Sequence, residues 1–419
     1  MTTNCEEILF LAHRIPFPPD RGDKIRSHHI LKALARLAPV HVGTFADDEE
    51  DADPEAELAT VARSYHLAHR GKPLALAGLQ ALAARQPVSI AAFANHDLRR
   101  WVADTLQRRP IATIYAFSSQ MAQYIPADFA GRVVMDFVDV DSAKFEAYAA
   151  KAAQPMRTIY AREARLLARY ETKVARRADL SLFVTGEEAA RFRSRLDPAT
   201  RASTAVAALG NGIDCALYDP DTVGPAPELA QNLAQSGGSY LLFSGQMDYP
   251  PNVTAVVRFA TRVMPMIRAS LPEARFHIIG RRPTPAVTAL DGIENTRVWG
   301  RVEDMRPWLA AADLVVAPLE IARGVQNKVL EAMAMRRPVL ASPEAATGIA
   351  ARDGIELAIE ASDEGLATRA LALIAAPAER AAMGAAARRF VLDQQNWPTM
   401  LAGLPAIVAL DRADARYAA

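Results

Sequence analysis

Residues 317–335 read Ala317-Pro318-Leu319-Glu320-Ile321-Ala322-Arg323-Gly324-Val325-Gln326-Asn327-Lys328-Val329-Leu330-Glu331-Ala332-Met333-Ala334-Met335. A buried strand, Asp313 to Ala317, ends in Pro318, and a loop with one glycine follows. A helix is expected to begin near Val325 and to run to Met335, where Arg336-Arg337-Pro338 stops it. Strand, glycine loop and helix in that order are the unit of a parallel α/β fold. The same alternation extends outward in both directions. Strands are predicted at Glu7–Ala12, Val40–Phe45, Ile111–Phe117, Arg132–Val138, Leu180–Val184 and Ala205–Leu209, and then at Tyr240–Ser244, Arg275–Ile279, Thr296–Trp299, Leu314–Ala317, Val339–Ser342 and Glu356–Ile359. Their apolar runs are continuous, as strands covered on both faces require. Amphipathic helices such as Ser27–Leu37 and Asp97–Arg108 lie between them.

The chain has 419 residues, 51% apolar and 23% charged. One core rarely organises that length, so two domains of roughly 200 residues each are expected. The turn-rich Gly210-Asn211-Gly212-Ile213-Asp214 marks the boundary, and three prolines with three glycines follow between Pro220 and Gly238. The expectation is α/β throughout: two doubly wound, Rossmann-like domains, 1–212 and 213–385, facing a cleft, with a helical segment, 386–419, packing back toward the first. Forty-eight basic and 48 acidic residues cancel, which argues against bulk attraction to nucleic acid. Two cysteines, Cys5 and Cys215, cannot build a disulfide framework or a cysteine zinc site. No run approaches the roughly 20 apolar residues of a spanning helix, and no signal-peptide pattern opens the chain. A cytoplasmic protein is expected, at most peripheral at a membrane. The acidic run Asp47-Asp48-Glu49-Glu50-Asp51 reads as a solvated loop.

The segment 317–335 also carries chemistry. Gly324 lets backbone approach a ligand, and the helix starting at Val325, Gln326 and Asn327 offers unpaired N–H groups with a positive dipole end. Arg323 and Lys328 bracket that terminus, which describes a phosphate receptor. Glu331, further along the helix, is placed to accept hydrogen bonds from two hydroxyls such as those of a ribose. The bland alternative is a pair of solvated cations with a locally paired carboxylate. A second glycine turn, Gly245-Gln246-Met247-Asp248-Tyr249-Pro250-Pro251-Asn252, follows the first strand of this half. Gly245 would admit the same diphosphate, and Asn252 either caps a helix beginning near Val253 or joins the site. In Trp299-Gly300-Arg301-Val302-Glu303-Asp304 the backbone around Val302 offers an edge for a nucleobase, with Asp304 as helix cap in the alternative.

Taken in order, these motifs, with Arg336-Arg337-Pro338-Val339-Leu340-Ala341-Ser342, resemble the nucleotide-sugar domain of the GT-B glycosyltransferases, the retaining family four group in particular. The opening Arg14-Ile15-Pro16-Phe17-Pro18-Pro19-Asp20-Arg21-Gly22-Asp23-Lys24-Ile25-Arg26-Ser27 is similar to a narrower set, the sugar transferases associated with exosortase-linked exopolysaccharide clusters. The resemblance implies transfer of a sugar from a nucleotide-diphosphate sugar to a glycan or lipid-linked acceptor with retention, and no metal or other cofactor. The family's Glu-x7-Glu is altered: its second acid corresponds to Glu331, but Arg323 stands where the first would be. Donor-sugar contacts inferred from that first acid do not transfer, whereas Arg323 and Lys328 keep the phosphate chemistry.

In the first half, the resemblance makes the loop carrying Arg14, Gly22 and Lys24 line the acceptor and touch donor phosphates; a charged surface loop is the alternative. Asp136-Phe137-Val138-Asp139-Val140-Asp141-Ser142 contains a DxD, the metal motif of the other large glycosyltransferase fold. Asp136 or Asp139 orienting hydroxyls at a strand end is the preferred reading, since the diphosphate already has cations and relatives generally need no metal. On the helix Arg157–Arg177, the side chains Arg162, Arg165, Arg169, Lys173 and Arg176 share one face, opposite Tyr160, Ala164, Leu167 and Val174. Lys151 to Arg201 holds 12 basic and 6 acidic residues, a solvated face or a patch drawn to anionic lipid. A nucleotide-sugar epimerase of like shape and a non-catalytic scaffold are the rival readings. A dinucleotide oxidoreductase is disfavoured, because no Gly-x-Gly-x-x-Gly follows the first strand.

Overall fold

The computed structural model describes residues 6–19, 22–46, 54–69, 74–226, 229, 238–322 and 324–408. The chain forms two units, Met1–Gly210 together with Leu401–Ala419, and Asn211–Met400.

The first unit holds a parallel sheet of seven strands: β1 (Glu7–Ala12), β2 (Val40–Ala46), β3 (Ser64–His69), β4 (Ile111–Phe117), β5 (Arg132–Val138), β6 (Leu180–Phe183) and β7 (Val206–Ala208). Their order is β3-β2-β1-β4-β5-β6-β7, so the chain starts mid-sheet and winds to both sides. Ile8 to Ala12 are all buried, as a central strand covered by helices on both faces requires. The edge strand β3 is not among the expected ones. Its sequence, Ser-Tyr-His-Leu-Ala-His, is half-exposed and lacks the apolar run that marks the others. The acidic run 47–51 lies outside the described residues.

Three helices of this unit matter below: α1 (Gly22–Ala35), α2 (Asp141–Lys151) and α3 (Met156–Ala175). In α3 the buried side is Glu163, Ala164, Leu167, Glu171, Val174 and Ala175. Glu163 and Glu171 are eight residues apart and so share a face. Each caps another helix. Glu163 accepts the N–H groups of Val88 and Ser89, both at 2.8 Å, at the start of the helix Val88–Ala91. Glu171 accepts the N–H of Ser142 at 2.9 Å and its hydroxyl at 2.5 Å, at the start of α2. A carboxylate at a helix N-terminus meets unpaired N–H groups and the positive dipole end.

The second unit is a parallel sheet in the order β10-β9-β8-β11-β12-β13, from β8 (Tyr240–Ser244), β9 (Arg275–Ile279), β10 (Thr296–Gly300), β11 (Leu314–Ala317), β12 (Val339–Ala341) and β13 (Ala358–Ile359). After β8 comes α4 (Pro250–Arg258), whose two leading prolines occupy first-turn positions that need no N–H partner. After β11 comes α5 (Asn327–Ala334).

The tail departs from the expected single segment 386–419: it divides at Met400/Leu401. Up to that point it is held to the second unit, where the Ile213 N–H donates to Gln395 O at 2.7 Å and Gly212 lies so close to the Trp397 backbone that a Cβ would sit 2.5 Å from its nitrogen. Beyond it, α6 (Leu404–Val408) belongs to the first unit. Thr113 Oγ1 donates to Val408 O at 3.0 Å, Arg132 Nε donates to Ile407 O at 2.6 Å, and Leu404 and Val408 are buried. The first boundary falls at Gly210/Asn211, because Gly212 and Ile213 are already part of the second unit. Among the described residues, no single helix is long and apolar enough to cross a membrane.

Candidate functional site

At the carboxyl end of the second sheet, three neighbouring strands finish in glycine: Gly245 after β8, Gly280 after β9 and Gly300 closing β10. The Gly245 N–H donates to Ile279 O at 3.0 Å, and the Gly280 N–H to Gly300 O at 2.8 Å. A Cβ on Gly280 would stand 1.5 Å from the Gly245 carbonyl oxygen, so no other residue fits there. Gly280 is absent from the candidates read in the sequence; its necessity depends on two chain segments meeting, which neither segment announces alone.

Helix α5 delivers Lys328 to this floor. The helix begins two residues later than expected, at Asn327, after a turn in which Gly324 takes φ +63° and its carbonyl accepts from Gln326 Nε2 at 3.1 Å. Val325 packs on the core. Lys328 Nζ donates to Asn252 Oδ1 at 2.6 Å and lies 4.1 Å from the centre of the Phe243 ring. A Cβ on Gly245 would come within 2.9 Å of Lys328 Nζ and 2.8 Å of Asn252 Nδ2, so the glycine leaves room for the pair. Part of Lys328 reaches the surface, but its ammonium is enclosed. That enclosure pulls it down to about 7 against the opposing pull of Glu331. Glu331, one turn on, is raised by burial, offset in part by a hydrogen bond from the Tyr218 hydroxyl and by Lys328. Tyr218 is a further member of the site without a signal in the sequence.

Asn252 is not a cap. It is the third residue of α4, is buried, and donates from Nδ2 to Gln246 O at 2.9 Å while Oδ1 accepts from Lys328. The reason is the proline pair: Pro250 and Pro251 start the helix earlier than Val253 and carry Asn252 into its first turn. Val302 lies half-buried in the turn after β10, packed on the core. Asp304 there accepts the Arg306 N–H at 2.9 Å and its guanidinium at 2.7 Å, which fixes the start of the helix Arg306–Ala311. Arg323 lies outside the described residues.

In the first unit the candidates separate. Asp136 is fully buried and corrected from the expected hydroxyl-orienting acid to a structural one. Its Oδ2 accepts from Arg26 Nε at 3.1 Å, Arg26 Nη2 at 2.9 Å and Tyr115 Oη at 2.8 Å, and its Oδ1 from the Val138 N–H at 3.1 Å. The fully buried Arg26 also donates from Nη1 to Leu209 O at 2.7 Å. Val138 then takes φ +70°, a strained value for a β-branched residue, and the register with β6 shifts there. The kink turns Asp139 out to an exposed position. Partial enclosure by protein, then the carboxylates of Glu188 and Asp141, push it up to about 6. Asp141 instead points to Ser119, whose hydroxyl donates to it at 3.0 Å. Among the described residues, no three His, Cys, Asp or Glu side chains are grouped to hold a metal ion. At the end of β1, Arg14 Nη1 and His13 Nε2 both reach Asp23 Oδ2, at 2.7 and 3.5 Å. Lys24 is buried, and Gly22 opens α1 with nothing near where a Cβ would be.

Two parallel α/β units with these sheet orders define the GT-B architecture of glycosyltransferases. Solved structures match it over almost the whole chain. Sucrose-phosphate synthase from Thermosynechococcus elongatus superposes with a TM-score of 0.66 at 16% identity, covering 96% of this chain and 98% of that one. HepE from Anabaena, in complex with UDP and glucose, gives 0.64 at 16% identity over 96% and 99%. The lipopolysaccharide-biosynthesis glycosyltransferase WaaG gives 0.62 at 18% over 96% and 99%. More particularly, residues 238–376 match the model of the family described as Glycosyl transferases group 1. A curated relative, the GDP-mannose-dependent monoacylated alpha-(1-6)-phosphatidylinositol monomannoside mannosyltransferase of Corynebacterium glutamicum, is 32% identical over 151 residues. That stretch is 33% of this chain and 40% of the relative, so the match spans well under half of the relative's length. Family and relatives together support a glycosyltransferase.

Proposed function

We propose that the chain is a retaining glycosyltransferase that moves a sugar from a nucleotide-diphosphate sugar to a glycan or lipid-linked acceptor in exopolysaccharide biosynthesis. The observation that carries this reading is the enclosed Lys328, held by Asn252 over a floor of glycines at the start of α5. Breaking the anomeric bond leaves negative charge on the departing diphosphate. An ammonium already desolvated and oriented stabilises that charge by a few kcal/mol without reorganisation. The Gly324 turn and the start of α5 at Asn327 supply backbone N–H groups to the anion site, the sequence assigns Arg323 to it, and Glu331 receives ribose hydroxyls. By the family resemblance the acceptor attacks from the face the diphosphate leaves, so retention needs no carboxylate nucleophile, and the cations serve in place of a metal. The first unit, with Arg14 and Asp139 after its strands and Lys24 in the first turn of α1, is the acceptor half of the reading. The nucleotide complexes of HepE and the GDP-mannose dependence of the Corynebacterium relative support a nucleotide-linked donor. The enzyme works in the cytoplasm, in peripheral contact with an anionic membrane.

The test is a titration with UDP-, GDP- and ADP-sugars followed by transfer assays. One nucleotide class is expected to bind, and Lys328→Ala should lose transfer at least 100-fold while keeping its circular dichroism spectrum. Unimpaired transfer by that variant, or no binding of any nucleotide sugar, would remove the proposal.

A further inference from the structure

Thirteen large hydrophobic side chains are exposed among the described residues, and five of them sit on one outcrop of the first unit. They are Leu79 and Leu82 on the helix Leu74–Ala83, Tyr148 on α2, and Met156 and Ile159 on α3, each between 40% and 66% exposed. Leu37 is the one other such residue described in that unit. The three helices are joined: Arg162 Nη2 donates to Ala81 O at 3.0 Å, and the rings of Phe145, Tyr148 and Tyr160 gather with centroids 5.8–6.0 Å apart.

Basic side chains predominate around this apolar surface. Lys144, Lys151, Arg157 and Arg165 are exposed. The four acids of α2 and α3 are all engaged elsewhere: Glu163 and Glu171 are buried as helix caps, Asp141 holds Ser119, and Glu146 pairs with Arg195 at 2.5 Å. Of the basic stripe expected along α3, Arg165, Arg169 and Lys173 are exposed. Arg162 is tied to Ala81, and beyond the helix end Arg176 is tied to Thr200 and Asp197. The apolar side chains Met156 and Ile159 lie at the amino-terminal end of this basic face.

We propose that this outcrop docks the chain on an anionic lipid surface, with the aliphatic and aromatic side chains entering the headgroup boundary and the lysines and arginines meeting lipid phosphates. This names the surface for the membrane contact in the function proposed above and does not depend on its sugar chemistry. A second copy of the chain is the poorer occupant, since it would bring the same cations to the contact, and the one exposed acid of α2 and α3, Glu146, is already paired with Arg195.

Flotation of the full chain with vesicles tests it. Binding is expected to vesicles of phosphatidylcholine with a quarter phosphatidylglycerol, to weaken with salt, and to be much lower on phosphatidylcholine alone. Leu82→Ser with Ile159→Ser, and separately Lys151→Glu with Arg157→Glu, should each reduce partitioning at least tenfold with unchanged melting. Lys328→Ala should bind as wild type does, which separates this surface from the transfer site. No binding to the anionic vesicles, or binding undiminished in both double variants, would overturn the proposal. So would wild-type self-association that the same substitutions abolish in a chain that ignores vesicles.

Discussion

Lys328 stands near the midpoint of its titration at neutral pH, at about 7. A bound diphosphate favours the ammonium, so above pH 7 binding must bring a proton with it. Nucleoside-diphosphate affinity is therefore expected to fall between pH 7 and 9, with proton uptake visible by calorimetry in buffers of different ionisation enthalpy; a flat profile would contradict the site. Asn252 positions that ammonium. Asn252→Asp puts a carboxylate beside it and should shift the pH limb upward, whereas a purely structural asparagine would leave the limb in place. Asp136 behaves differently. Replacing it with alanine strands a buried guanidinium, so Asp136→Ala should cost about 3–5 kcal/mol in a denaturant titration. The sequence showed Lys328 and Gly245 because a strand-to-helix glycine turn has a local signature. It did not show Tyr218, Gly280 or the pairing of Asp136 with Arg26, since each of these is defined by a partner 35 to 113 residues away.

At the level of elements, continuous apolar runs disclosed the central strands to within a residue or two, because burial on both faces leaves no place for polar side chains. The edge strand β3 escaped for the converse reason: one of its sides is half-open, and two histidines suit it. Helix starts were less legible than helix bodies. Pro250-Pro251 moved one start earlier and the Gly324 turn moved another later. The carboxylates that cap α2 and the helix Val88–Ala91 both come from α3, out of reach of any local rule. Glu171 is pushed up to about 7, by burial first, against its hydrogen bonds to Ser142. Glu171→Ala should cost about 1–3 kcal/mol by leaving the Ser142 N–H and hydroxyl unpaired in a buried place, measurable as a lower melting temperature. Glu171→Gln, which keeps an acceptor, should recover much of it.

For the molecule as a whole, the sequence predicts that the tail returns toward the first unit from residue 386, and what pattern alone could not give is the point at which it crosses. The crossing at Gly210/Asn211 is reversed at Met400/Leu401, and α6 supplies backbone acceptors to Thr113 and Arg132. Ending the chain after Met400 is expected to lower the melting temperature of the first unit and to leave the second near its original value, as two transitions by calorimetry would reveal. The arrangement also sets an order of events during synthesis. The half that emerges first from the ribosome lacks its closing piece until all of Asn211–Met400 has been made, about 10–40 seconds at ordinary elongation speeds. For that interval the first unit is an open structure that chaperones can hold, closed only once α6 has been made.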